Sequence, residues 1–111
     1  SLRAAALENS SGEFLRPSLI AAAKALEGIT LDSNLAGSNH NPAAEGAYPI
    51  VTLIWVLAYR SGNGENGEAI RATLDFMLSP QVQSQAAELG LIPLNNEILS
   101  KSRAVIERIG Q

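Results

Sequence analysis

The chain has 111 residues, 46% of them hydrophobic and 17% charged, with 8 basic and 11 acidic side chains giving a formal charge of −3. That is one domain or less, and the supply of Leu, Ile, Val and Ala excludes a disordered chain. An acidic balance with Phe14, Tyr48, Trp55, Tyr59 and Phe76 as its aromatics excludes the basic, aromatic-lined surface that nucleic acid needs, while the lack of Cys and the single His40 exclude zinc clusters and disulfides.

The first residues, Ser1-Leu2-Arg3-Ala4-Ala5-Ala6-Leu7, carry neither an initiator Met nor a basic-then-apolar leader, and read as the inside of an element of something longer. The apolar stretch Ala4 to Leu7, the turn chemistry of Glu8 to Glu13 and the pair Phe14-Leu15 predict a strand, a turn and a brief second strand. Pro17-Ser18 opens a helix whose apolar stripe is Leu19, Ala22, Ala23 and Leu26, and Gly28 ends it. From Ile29 to Ala47 periodicity disappears, which marks a functional loop or a connection between bodies.

Ile50 to Tyr59 is apolar at every position but Thr52. Ten residues are too few to span a bilayer, which takes about 20, and the β-branched and aromatic content predicts a strand buried on both faces at the centre of a covered sheet. Three helices follow the turn-rich stretch Arg60 to Gly67. The first carries the stripe Ile70, Thr73, Leu74 and Met77, widened by Phe76 and Leu78. The second starts at Ser79-Pro80, buries Val82, Ala86 and Leu89, and stops at Gly90. An extended link, Leu91 to Leu94, leads to the third, capped by Asn95 or Asn96, with Ile98, Ser102, Val105 and Ile109 inward beside Leu99 and Ile106. Glu97 and Lys101 stand one turn apart as an ion pair.

Gly62-Asn63-Gly64-Glu65-Asn66-Gly67 has the literal spacing of a dinucleotide-binding turn between a strand and a helix. No second parallel strand ending in an acidic residue follows, and Glu65 and Glu68 stand where phosphates would dock, so a solvated surface turn rich in left-handed glycine conformations is the preferred reading. His40 could be combined with Asp32 or Glu45 into a triad, but no nucleophile elbow accompanies them, and an exposed loop histidine is the expectation. Asn9-Ser10-Ser11 is a formal glycosylation sequon. Ser18 and Ser79, which could help hold an anion, are accounted for as helix caps.

Ala47-Tyr48-Pro49-Ile50-Val51-Thr52 through Trp55-Val56-Leu57-Ala58-Tyr59-Arg60 resembles the C-terminal part of the phosphate-binding proteins of bacterial phosphate ABC transporters. Upstream, Ala6-Leu7-Glu8-Asn9, Gly12-Glu13-Phe14 and Pro17-Ser18 resemble the family's stretch leading into a helix. Downstream, Leu74 to Leu78, Gln83, Ala87-Glu88-Leu89-Gly90 and Ile92-Pro93-Leu94 continue the likeness, with Met77 where the family often has Trp and Leu91 in place of a frequent Tyr. The ordered match covers nearly the whole chain.

The resemblance implies an α/β chain that is part of a type II periplasmic-binding-protein fold, with few strands and about four helices. Residues 1–28 would form a strand, turn and helix, 29–49 a crossing loop, and 50–111 a buried strand and three helices. It implies the last portion of a phosphate receptor on the periplasmic or extracellular face of a bacterial membrane, with inorganic phosphate and a transporter permease as partners of the full-length protein. Such a segment would carry no catalytic residue, cofactor, metal or identifiable phosphate ligand. Tyr48, Pro49 and Trp55 would serve as hinge and structural residues. Because strand 50–59 expects neighbours on both sides, the segment alone is expected to dimerise or swap elements to cover its edges. The alternative is a fragment of a nucleotide-binding α/β enzyme using Gly62 to Gly67.

Overall fold

In the computed structural model the described residues are 3–110; Ser1 and Leu2, at which the first predicted element opens, and Gln111 lie outside them. The chain is a small α/β protein whose described residues form four α-helices and a two-stranded antiparallel sheet, divided into two compact units at Leu53/Ile54.

The first unit begins with a hairpin. Small polar residues and Gly12, at φ 82°, turn the chain, and the Gly12 N–H donates to the Asn9 carbonyl at 3.0 Å. Strands β1 (Leu7–Glu8) and β2 (Phe14–Leu15) pair in the register Leu7 to Leu15 and Glu8 to Phe14. Ala4 to Ala6, expected in the first strand, are exposed and outside the ladder.

Helix α1 (Leu19–Glu27) starts where the Ser18 hydroxyl accepts the Ala21 N–H and ends at Gly28, as the sequence predicts. Its buried face is Ala21, Ala22, Ala25 and Leu26, rotated from the predicted stripe, and Leu19 is exposed. The reason is the loop after the helix: the Tyr48 N–H donates to the Ala21 carbonyl at 2.9 Å, and Ile29, Leu31 and Ala47 are buried with the helix face. The crossing loop is therefore part of this unit's core.

In the second unit, a 3-10 turn (Gly64–Asn66) leads into α2 (Gly67–Met77), followed by α3 (Pro80–Gln85), a second 3-10 turn (Ala86–Leu89) and α4 (Asn96–Ile106). Helix α2 packs on α3 and α4. The Ser79 hydroxyl accepts the Val82 N–H, Pro80 stands in the first turn, and Gly90 ends the second 3-10 turn at φ 72°. Asn95 caps α4 by accepting the Ile98 N–H at 2.9 Å. Gln83 fixes the link after α3, donating to the Met77 carbonyl and accepting the Leu94 N–H. Arg103 donates to the Leu78 carbonyl at 3.0 Å, and Glu97 and Lys101 pair at 2.8 Å.

Ala86, Ile98, Ile106 and Ile109 are buried here, while Phe76, Met77 and Leu89, which the helical periodicity places inward, are exposed. The predicted faces exist as apolar stripes, but this unit covers only part of them. Because Ile98 is buried and sits beside the Asn95 cap, Ile98→Ala is expected to lower unfolding stability by about 2–4 kcal/mol. Urea denaturation followed by circular dichroism measures this as a lower midpoint with an unchanged slope.

Candidate functional site

Asn9 sits in the hairpin turn and is 4% exposed, the one buried polar side chain among the described residues. Its Oδ1 accepts the N–H groups of Ser11 (3.1 Å) and Glu13 (2.9 Å) and the Ser11 hydroxyl (2.7 Å). Its Nδ2 donates to Glu13 Oε2 (3.0 Å) and to the Ala47 carbonyl (3.3 Å) across 38 residues of chain. The same Glu13 oxygen accepts the Gly46 N–H at 2.6 Å. Ser10 adds contacts to the carbonyls of Asn41 and Pro42. The loop before Ile50 is thus pinned to the hairpin turn by one amide and one carboxylate.

Gly46 makes this closure possible. It has φ 74°, where a Cβ is strained, and a Cβ there would lie 2.7 Å from Lys24 Nζ, which donates to the Glu45 carbonyl. The Gly46 N–H, then the Asn9 amide and the Ser11 hydroxyl, hold the Glu13 carboxyl below its ordinary value, with a smaller contribution from the Lys24 charge. Asn9 has both side-chain polar atoms engaged inside this cluster, so the sequon residue is occupied as a structural hub. Sequence reading missed Asn9 and Glu13; the available signal was the Asx-turn chemistry of Asn9-Ser10-Ser11-Gly12.

The pinned loop leads to an open groove of about 490 Å³ lined by Leu7, Glu8, His40, Asn41, Pro49, Ile50, Val51 and Thr52. Pro49 is buried, its carbonyl accepting the Asn41 N–H at 3.1 Å, and Tyr48 is half-buried. Trp55, the third expected structural residue, belongs to the second unit and is 45% exposed. His40 is exposed, as expected. Asp32 turns inward on its own loop, accepting the N–H groups of Asn34 and Ala36, and no hydrogen bond among the described residues joins His40 to Asp32 or Glu45. The described residues contain no group of three or more His, Cys, Asp or Glu able to hold a metal ion.

The largest correction concerns Ile50 to Tyr59. The sequence predicts a strand buried on both faces, yet among the described residues the only strand pairing is that of β1 with β2. Ile54 is 76% exposed, Leu57 95% and Tyr59 82%. The run is local strand chemistry without the neighbouring strands and covering helices that a buried strand requires. No helix among the described residues is long and apolar enough to cross a membrane.

Gly62 and Gly64 have φ of 83° and 55°, and Glu65 and Glu68 occupy the first turns of the 3-10 segment and of α2. This is the left-handed surface turn that the sequence favours. Asn63 ties it back to the Tyr59 carbonyl at 2.7 Å. The sequence matches no family model and no curated protein.

Glu13 has a pH consequence. A carboxyl held below its ordinary 4.5 in the folded state contributes stability that is present above that value and is lost as pH falls through the folded value. Thermal unfolding is expected to show a drop in midpoint below about pH 4.5 that is smaller in Glu13→Gln. Equal acid sensitivity in the two proteins would contradict this role.

Proposed function

We propose that this chain is the lobe-completing portion of a phosphate-binding solute receptor that delivers phosphate to a bacterial ABC importer. The observation that carries the reading is the segment Ile50 to Tyr59: uncharged, rich in β-branched and aromatic residues, and outside the one ladder among the described residues. Such a run suits the interior of a sheet covered on both faces, as in a type II binding-protein lobe. The ordered likeness to the C-terminal part of those receptors supports the same assignment.

On this reading the segment is mechanical. Tyr48 and Pro49 lead the chain from the pinned loop into the strand, with Pro49 fixing φ at the entry, and Trp55 helps to fill the completed lobe. A desolvated phosphate is best held by an Arg fork and convergent N–H and hydroxyl donors, and those come from elsewhere in the full-length receptor. The receptor would work in the periplasm or on the outer face of the membrane, with the permease as its protein partner. It is a binding protein, with no catalytic step assigned.

The test is a chimera in which this chain replaces the corresponding C-terminal segment of a phosphate-binding protein. Titration calorimetry is expected to show micromolar phosphate binding by the chimera and none by the 111-residue chain at millimolar phosphate. A folded chimera that does not bind, or tight binding by the chain alone, would overturn the assignment.

A further inference from the structure

We propose that Asn66-Gly67 is a site of spontaneous modification, at which the asparagine deamidates through a cyclic imide to aspartate and isoaspartate, ahead of the neighbouring Asn63-Gly64. The turn from Gly62 to Gly67, for which the phosphate reading has no use, carries the inference, and all of it lies within the second unit.

The sequence narrows the candidates to two. Asparagine is a thermolabile residue, attacked at its side-chain carbonyl carbon by the main-chain nitrogen of the next residue, and a Cβ on that next residue obstructs the approach. Asn63 and Asn66 are the asparagines of this chain that precede glycine. Both stand in the tripeptide Asn-Gly-Glu, so the residues that follow them are the same and a difference in their rates reports structure.

The backbone does not separate them. Asn63 lies at φ −78°, ψ −5° and Asn66 at φ −82°, ψ −9°, so each needs the same local rotation to bring its side-chain carbon to the glycine nitrogen. The side chains do. Asn63 is half-buried, and its Nδ2 donates to the Tyr59 carbonyl at 2.7 Å, which holds the amide toward the preceding residues. Asn66 is exposed, and no hydrogen bond among the described residues engages its side chain, although it stands at the start of α2.

The reaction consumes one water and releases one ammonia. Gly67 N gives its proton to solvent hydroxide, and its electron pair forms a bond to Asn66 Cγ. The Cγ–Nδ2 bond breaks and that nitrogen leaves as ammonia, closing a succinimide ring. Water then adds to one of the two ring carbonyls. Opening at Cγ leaves aspartate in an ordinary backbone, whereas opening at the main-chain carbonyl carbon makes that carbon the free carboxylate and routes the chain through Cγ. Nothing is oxidised or reduced. Each product adds one negative charge to the formal −3, beside Glu65 and Glu68 at the start of α2, where an anion is favoured.

Incubation of the chain at body temperature and mildly alkaline pH, followed by peptide mapping in a mass spectrometer, tests this. Acid and isoaspartate are expected at Asn66 roughly fivefold faster than at Asn63, the factor that one protein hydrogen bond commands. In guanidinium chloride, where the Tyr59 tether is gone, the two sites are expected to convert at equal rates. Gly67→Ala is expected to slow conversion at Asn66 at least tenfold and leave Asn63 unchanged. Gly67 has φ −56°, and a Cβ on it would lie 3.7 Å from Gly110 Cα, an ordinary contact, so the fold is kept and circular dichroism is unchanged. Asn66→Gln serves as a second variant, in which the more acidic species resolved by anion exchange disappears. Conversion at Asn63 as fast as at Asn66 in the folded chain, or a difference that persists in denaturant, would overturn the proposal. So would an Asn66 that stays intact in the folded chain over the time in which the denatured chain converts.

Discussion

A strand has two needs that it cannot meet alone: partners for its backbone N–H and C=O groups, and cover for its side chains. Ile50 to Tyr59 has the composition of a strand, yet among the described residues no strand pairs with it, and Ile54, Leu57 and Tyr59 are more than three-quarters exposed. Burying a large apolar side chain fully is worth about 1.5–3 kcal/mol relative to leaving it exposed. A run of five or six left in water is a large unclaimed driving force, comparable with the whole stability of a small domain, about 5–15 kcal/mol. Much else in the molecule can be understood from that deficit. Each unit builds a modest core of its own, Ala21, Ala22, Ala25, Leu26, Ile29 and Leu31 with Ala47 in the first and Ala86 with Ile98, Ile106 and Ile109 in the second. Neither core includes the most apolar stretch of the chain.

What prepares that stretch is polar chemistry. Asn9 and Glu13 together engage the backbone of the hairpin turn and of the loop at Gly46 and Ala47, three residues before Ile50. A buried amide is tolerated because each of its polar atoms has a partner, and the carboxylate is favoured because it accepts N–H groups in its charged form. The hairpin, although only two residues long in each strand, is held by this network as much as by its ladder. The entry to the apolar run is consequently fixed, with Tyr48 bonded to α1 and Pro49 buried.

Local signals in the sequence translate well into structure. Ser18, Ser79 and Asn95 cap the helices expected of them, Gly28 and Gly90 end theirs, and Glu97 pairs with Lys101. Those features depend on residues three or four apart, and a sequence displays them directly. The face that each helix buries was less legible, because it depends on what returns to cover it: Leu19 is displaced from the core by a loop whose contact with Ala21 lies 27 residues away. The Asn9–Ala47 link, across 38 residues, had only its turn half visible. Ile50 to Tyr59 shows the limit most clearly. Its composition states what environment the strand prefers, and composition cannot supply the neighbouring strands.

This run is therefore strand chemistry without a ladder among the described residues. Amide hydrogen exchange on the chain at sub-micromolar concentration measures it directly. The amides from Val51 to Ala58, taken together, are expected to exchange close to the rates of an unstructured peptide while those of α1 and α4 are strongly slowed. Protection of the run equal to that of α4 in the dilute monomer would contradict it.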